Sequence, residues 1–171
     1  MSVQNSGVIY THCYKSPIGT LHLAVNRGGS VLRISYTAFG EWPKGLQLEE
    51  NKYACGELEH ELDEYFRGHL RRFTIPVSLD GTQFQRSVWK RLAKIEYGST
   101  VTYGEIARKI GRARAARAVG NAVAGNPAPI VIPCHRVVSA DRGLGQYALR
   151  AFPPGDGSRL KRKLLELEGA L

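Results

Sequence analysis

A cysteine, a histidine and an arginine stand side by side in the second half of the chain, in the run Pro133-Cys134-His135-Arg136. A thiol is a strong nucleophile once it ionises, and a neighbouring imidazole, a positive field or a helix N-terminus lowers its pKa. The run therefore indicates nucleophilic chemistry at Cys134. The alternative is a thiol that only packs in the core, because free cysteine is among the most buried residue types.

A short apolar segment leads to this cysteine. Ile130, Val131 and Ile132 lie between prolines, which predicts a buried strand whose ends the prolines fix. Neighbouring residues on a strand point to opposite faces, so we expect Cys134 and His135 to couple through a water molecule or a turn. Before this segment, Gly125-Asn126-Pro127 predicts a chain reversal.

Two predicted helices joined at a glycine precede that reversal. Thr102 is placed to cap the first, which stops at Gly111. The second is Ala-rich and is predicted from Ala113 to Ala124, with Arg112, Arg114 and Arg117 on it. The arrangement is typical of a helix-turn-helix, although any helical bundle can contain it. Its small side chains would let the backbone approach a narrow groove or the sugar-phosphate backbone with little sequence discrimination.

The first part of the chain has a different pattern. Residues 8–36 alternate between apolar and polar with turn residues between the runs, which predicts antiparallel strands, and residues 38–51 are predicted to be a loop. Glu57–Phe66 places its apolar residues on one helical face, and Phe73–Leu79 is predicted to be a closing strand. From Thr82, which is placed to cap the next helix, the apolar spacing becomes helical. We therefore expect an α+β fold with two domains, residues 1–80 and 81–171.

Charge points to a polyanionic partner. The 171-residue chain has 24 Lys and Arg against 15 Asp and Glu. The basic residues concentrate in Arg67–Arg117 and in the run Arg159–Lys163, as expected for a surface that binds phosphate backbones. A solvated basic surface without a partner is the alternative. The three cysteines form no paired CxxC unit, and no run approaches the roughly 18 apolar residues of a membrane span. We expect a soluble cytoplasmic protein with reduced thiols that is not exported.

The run Pro133-Cys134-His135-Arg136, together with Arg117-Ala118-Val119-Gly120 and Gly125-Asn126-Pro127, resembles the active-site region of the O6-alkylguanine-DNA alkyltransferases. The resemblance is strong from Phe84 to Val138, returns at Lys161–Gly169 and is weaker in the first lobe. It implies a ribonuclease-H-like N-terminal lobe and a winged-helix-like C-terminal lobe. It also implies an enzyme that moves the alkyl group of O6-alkylguanine, and of O4-alkylthymine, from double-stranded DNA to Cys134 irreversibly and once per molecule, without a cofactor.

The resemblance implies a role for each residue near the thiol. Cys134 is the nucleophile and the final acceptor, His135 is the base that takes the thiol proton through water, and Glu168 orients the histidine. Asn126 is the hinge between the recognition helix and the active-site segment. Tyr103 crowds the phosphate of the flipped nucleotide and donates a hydrogen bond to the leaving guanine.

The same resemblance implies how DNA is held. Arg117 fills the place vacated by the flipped base, although a plain phosphate contact is the alternative. The minor groove and phosphate backbone are expected to meet Tyr103, Arg112, Arg114, Ala115, Ala116, Arg117, Ala118 and Ala124. The base pocket is expected to be lined by Pro129, Val137, Tyr147 and Ala148. The segment from Ala148 to Gly157 departs from the Ser-Gly-Gly usual in the family, so the range of accepted alkyl groups stays open.

No metal is expected, because the cysteines and histidines of the first lobe match no familiar ligand spacing: Cys13, Cys55, His12, His22, His60 and His69. We expect a monomer, and cooperative binding along DNA stays open. Two other functions are compatible with the residues alone. A helix-turn-helix binder would use Cys134 only for packing, and a thiol hydrolase built from Cys134, His135 and Glu168 would turn over many times.

Overall fold

The computed structural model describes residues 7–145 and 157–171. Its contacts divide the chain into two compact units, Met1–Ser78 and Leu79–Leu171. In chain order the elements are β1 (Val8–Ser16), β2 (Gly19–Val25), β3 (Val31–Ser35), β4 (Gln47–Glu50), α1 (Gly56–Phe66), α2 (Gln83–Leu92), β5 (Val101–Thr102), α3 (Tyr103–Lys109), α4 (Ala116–Ala124), β6 (Val137–Val138) and α5 (Gly157–Leu167). Among the described residues, no helix is long and apolar enough to span a membrane.

The first unit is built on a four-stranded sheet in the order β3-β2-β1-β4. The antiparallel pairing of β1, β2 and β3 confirms the strands predicted in residues 8–36. The loop predicted for residues 38–51 is wrong in part, because Gln47–Glu50 forms β4 and pairs parallel to β1, which makes the sheet mixed. All four residues of β4 are exposed at the sheet edge, so the strand has no alternation of apolar and polar residues that the sequence could reveal.

The strand predicted for Phe73–Leu79 is also wrong, since only a single bridge joins Val77 to Val31. The backbone N–H groups of Thr74 and Ile75 donate instead to the buried carboxylate of Glu61 on α1, at 3.0 and 3.2 Å. A side chain thereby satisfies the donors that a strand would have given to its neighbour. The predicted helix itself is confirmed as α1, and it ends just before Gly68, whose φ of +77° suits glycine.

Two capping boxes begin helices of the second unit. The Thr82 side chain accepts from the backbone N–H of Gln85 at the start of α2, and the Thr102 side chain accepts from that of Glu105 at the start of α3. In return, the side chains of Gln85 and Glu105 accept from the backbone N–H of their capping threonine. Both predicted caps are therefore confirmed. Within this unit α2 contacts α4, and the indole of Trp89 donates to the carbonyl oxygen of Ala122 at 2.8 Å.

The second helix of the helix-turn-helix begins later than its sequence predicts. It starts at Ala116 instead of Ala113, because the chain leaves α3 in a turn in which the N–H of Arg112 donates to Ala107 and the N–H of Ala115 donates to Arg112. Arg112 and Arg114 therefore lie in this turn and not on α4. Arg117 lies on the helix as expected.

The segment before Cys134 is a turn and not the predicted strand. Ile130 has a φ of +76°, and the N–H of Ile132 donates to the carbonyl oxygen of Ala128 at 2.8 Å. A β-branched residue in the left-handed region is strained, and such strain persists only where surrounding contacts enforce it. Residues Cys134–Arg136 then form a single 3₁₀ turn, which leads into β6 and its parallel pairing with β5.

Candidate active site

The thiol of Cys134 is buried, with 2% of the residue exposed, at the first position of the 3₁₀ turn. Burial raises its pKa to about 11, although the Asn126 side chain, the charge of Lys161 and the N–H groups of Cys134 and His135 act in the opposite direction. The lowered pKa that the sequence indicated is therefore absent from the resting protein, because loss of solvent outweighs the nearby donors. The thiol is protonated at neutral pH and has to lose its proton as it reacts.

The imidazole of His135 is fully buried and meets the carboxylate of Glu168 just beyond α5. The atoms Nε2 and Oε1 lie 2.6 Å apart. Burial lowers the pKa of His135, and the positive charges of Arg136 and Lys161 lower it further, while Glu168 acts in the opposite sense. The structure therefore brings two of the predicted relay residues into contact and favours a neutral imidazole at rest.

Among the described residues, four donors surround the Glu168 carboxylate. Besides the contact with His135, Arg136 donates from Nε to Oε2 and from Nη2 to Oε1, both at 2.9 Å, and the N–H of Gly98 donates to Oε2 at 3.3 Å. Burial raises the pKa of Glu168, but the hydrogen bonds and charges of His135 and Arg136 outweigh it and hold that pKa well below its usual range. Glu168 is therefore an anion buried among its partners.

Lys161 is a site residue that the sequence reasoning missed. It belongs to a basic run that was interpreted as a phosphate-binding surface, yet its side chain is fully buried and Nζ donates to the carbonyl oxygen of Val137 at 2.5 Å. Burial lowers its pKa to about 8, and a thiolate at Cys134 would act in the opposite direction. The signal was available, because Lys161 shares the i, i+3, i+4 spacing of the buried Leu164 and Leu165 on α5.

Asn126 joins the end of α4 to the turn that carries Cys134. Its Nδ2 donates to the carbonyl oxygen of Ile132 at 2.8 Å, and its Oδ1 accepts from the N–H of Ala128 at 3.0 Å. The same side chain lies close enough to Cys134 to favour a thiolate. The position suits the predicted hinge.

A cavity of about 800 Å³ opens between α3, α4 and the segment after β6. Of the predicted DNA and pocket residues, it is lined by Tyr103, Ala116, Arg117 and Ala124. Burial raises the pKa of Tyr103, and a thiolate at the neighbouring Cys134 would raise it further. Cys134 itself does not line the cavity among the described residues.

The remaining predicted residues divide into three groups. The side chains of Arg112, Arg114 and Ala118 are exposed near the same end of the helix-turn-helix, and Ala115 is the residue before α4. Pro129 and Val137 are buried and do not line the cavity as described. Tyr147 and Ala148 lie outside the described residues. Within residues 7–145 and 157–171 no cluster of three His, Cys, Asp or Glu side chains could hold a metal ion.

Comparison with known proteins gives two family models that together cover most of the chain. The model described as 6-O-methylguanine DNA methyltransferase, DNA binding domain, matches residues 83–170, and its ribonuclease-like counterpart matches residues 9–79. A methylated-DNA–protein-cysteine methyltransferase of Methanosarcina acetivorans is 39% identical over 95% of this chain and 99% of its own length. The protein of that name from Mycobacterium leprae is 40% identical over 94% of this chain and 93% of its own.

Solved structures agree. Mycobacterium tuberculosis OGT in complex with DNA matches with a TM-score of 0.80 and 38% identity, over 95% of this chain and 93% of that one. The O6-methylguanine-DNA methyltransferase of the archaeon Pyrococcus kodakaraensis KOD1 matches with a TM-score of 0.63 and 27% identity, over 94% of this chain and 99% of that one. These matches confirm the α+β fold with a ribonuclease-like first part and a DNA-binding second part. On these matches, the chain belongs to the 6-O-methylguanine DNA methyltransferase family.

Proposed function

We propose that this chain repairs O6-alkylguanine in double-stranded DNA by moving the alkyl group onto the sulfur of Cys134, once per molecule. The observation that carries the proposal is the buried contact between His135 and Glu168 immediately beside a buried cysteine. A thiol used only for packing needs neither a neutral imidazole at the next position nor a carboxylate to orient it.

The chemistry follows from the protonation states. The resting thiol is neutral, so the proton has to leave as sulfur attacks the alkyl carbon. Because Nε2 of His135 faces Glu168, Nδ1 is the ring nitrogen that would take this proton, through a water molecule. A carbon–sulfur bond forms while the carbon–O6 bond breaks. The electron pair of that bond stays on guanine, which accepts a hydrogen bond from Tyr103 and takes up a proton at N1, so the proton lost by the thiol is balanced. The thioether is not hydrolysed, so no second cycle follows and no cofactor is needed.

Lys161 supplies the positive field at this site. Its ammonium favours a thiolate at Cys134 and is held by the carbonyl oxygen of Val137. A fixed positive charge in a water-poor site stabilises charge that develops on sulfur in the transition state more strongly than it could in water. We therefore assign Lys161 an electrostatic role that complements the base, His135.

Charge and shape favour DNA as the substrate. Residues 79–171 hold 16 of the 24 basic residues but only 7 of the 15 acidic ones, whereas residues 1–78 hold 8 of each. The whole formal excess therefore belongs to the unit that contains Cys134. The small residues at the surface of α4, exposed Ala118 and half-buried Ala116 and Ala124, suit the minor groove and the phosphate backbone. Extrusion of the damaged base costs a few kcal/mol, and Arg117 would offset this by filling the vacated place.

The proposal is tested by counting restored guanines. Excess duplex DNA with one O6-methylguanine per duplex should yield a plateau of one restored guanine per chain. Cys134→Ser should yield none yet bind the duplex with nearly the affinity of the wild type, because the phosphate contacts lie elsewhere. Repeated turnover on a small ester or peptide would instead indicate the thiol hydrolase, and loss of DNA affinity in Cys134→Ser would contradict the division of roles.

The proposal also covers the oligomeric state and the cell compartment. We infer a monomer that acts on DNA in a reducing cytoplasm. The three cysteines are all free thiols in the structure, which suits such a compartment.

A further inference from the structure

Arg136 is a buried cation that the proton relay described above does not use. Its residue is 5% exposed, and its guanidinium holds both oxygens of Glu168 at 2.9 Å. A third bond runs from Nη1 to the carbonyl oxygen of Ile95 at 2.6 Å, and Cζ lies 5.7 Å from the centre of the Tyr97 ring. The guanidinium therefore has a fixed place between the end of α5 and the chain after α2.

The Glu168 carboxylate is shared between two donors that compete for its charge. Oxygen Oε1 is 2.6 Å from Nε2 of His135 and 2.9 Å from Nη2 of Arg136. A carboxylate that faced only the histidine would stabilise the imidazolium, since an opposite charge within about 4–6 Å raises a histidine pKa by about 1–3 units. An imidazolium cannot accept a proton from a thiol.

We propose that Arg136 is a positioning residue for alkyl transfer: it fixes the Glu168 carboxylate and balances its charge, so that His135 rests as a neutral imidazole able to accept the thiol proton. The inference rests on the proposed function, because it concerns the proton step of that reaction. It assigns the effect to the charge at position 136 as well as to its hydrogen bonds.

The groups that face His135 support this reading of the charges. Glu168 and Lys161 reach it from α5 and the residues just after that helix, while Arg136 and the neutral Cys134 belong to its own turn. Burial lowers the pKa of His135 first, Glu168 opposes that shift, and Arg136 and Lys161 counter Glu168. Of the two cations, only Arg136 contacts the Glu168 carboxylate directly among the hydrogen bonds of the described residues.

The test is a titration of the His135 ring nitrogens by NMR in the unreacted protein without DNA, in the wild type and in Arg136→Gln. In Arg136→Gln we expect the midpoint of His135 to rise by about one unit or more, because the carboxylate is no longer balanced. The single-turnover transfer rate at saturating DNA should then fall at pH 6 by the same factor as the fraction of neutral His135, and recover at higher pH. An unchanged midpoint in a folded Arg136→Gln protein would overturn the proposal.

Arg136→Lys keeps the charge but loses the paired hydrogen bonds. This variant tests the proposal even if Arg136→Gln does not fold. Its His135 midpoint should stay close to that of the wild type, while its transfer rate falls at every pH because Glu168 is less firmly held. A midpoint that rises in Arg136→Lys would also overturn the proposal. The titration needs no substrate, so failure of the proposed function would appear separately, as a wild-type protein that restores no guanine.

Discussion

Gly98 abuts the residue that orients the candidate base: a Cβ placed on Gly98 would lie 3.1 Å from the backbone carbonyl oxygen of Glu168. The N–H of Gly98 also donates to the Glu168 carboxylate. The turn after α2 therefore contacts Glu168 through both the backbone and the side chain. A change of shape in this turn has to move the carboxylate on which His135 depends.

Gly98→Ala should lower both stability and transfer rate, and Gly111→Ala is the matched control. Both glycines have a similar positive φ, +78° and +73°, so both variants carry backbone strain of about 1 kcal/mol. Only Gly98 has a neighbour within 4 Å, since nothing lies that close to a Cβ on Gly111. Urea unfolding and single-turnover transfer should show the larger losses in Gly98→Ala. Equal transfer rates in the two variants would show that this contact does not position Glu168.

Lys161→Met should separate stability from activity. The pKa of Lys161 is lowered to about 8, so folding favours its neutral form and an apolar side chain of similar length should maintain or raise the free energy of unfolding at pH 7. The transfer rate should fall by about tenfold or more, since loss of the charge makes the thiol harder to ionise. Lys163→Met, on an exposed position of the same helix, is the control at saturating DNA. A normal rate in Lys161→Met would remove Lys161 from the proposed mechanism.

Acid should destabilise the wild type more steeply than Glu168→Gln. The folded-state pKa of Glu168 lies well below its unfolded value of about 4.3, so its contribution to stability is present above that pH and is lost as the pH falls further. Glutamine does not titrate. At pH 7 the variant should be less stable by about 3–5 kcal/mol, because Arg136 is left as a buried charge without a counter-ion. The difference between the two free energies of unfolding should shrink from pH 5 towards pH 3, and parallel curves would contradict the assignment.

The salt dependence of DNA binding should identify the phosphate contacts. Arg112→Gln and Arg114→Gln each remove one exposed cation from the turn before α4, and each should reduce the slope of log K against log salt by about 1. Arg67→Gln is the control, since its side chain is 66% exposed in the unit without net charge. A control that changes the slope as much as the two variants do would contradict the placement of the DNA surface.

Much of the site was predictable from local signals. The capping residues Thr82 and Thr102 and the apolar spacing of α2 predicted helices of the second unit. The sequence around Cys134 and His135 indicated their chemistry, whereas Glu168 was expected in the same site only through the family resemblance. The geometry at Ile130 was not predictable, because three β-branched residues between prolines favour a strand and only surrounding contacts hold Ile130 at a positive φ. The edge strand β4 was missed because an exposed edge needs no apolar face.

Contacts between charged residues far apart in the sequence could not be predicted either. The sequence places Arg136 beside His135, but nothing local shows that its guanidinium reaches a carboxylate 32 residues later. Lys161 was hidden in a basic run whose other members, such as Arg162 and Lys163, are exposed. The pKa of the thiol depends on how deeply the fold buries it, which the residues around Cys134 do not reveal.

The most direct test is to identify which of the three thiols receives the methyl group. The protein is incubated with duplex O6-methylguanine DNA, digested and analysed by mass spectrometry, with Cys13 and Cys55 as internal controls. Cys13 is the exposed thiol, so a simple alkylating reagent should modify it first, whereas Cys134 is buried. We expect one methyl group per chain, all of it on Cys134 and none on Cys13 or Cys55. An unmodified Cys134 in folded protein that has bound the damaged duplex, or methylation that follows exposure and favours Cys13, would contradict the proposed function.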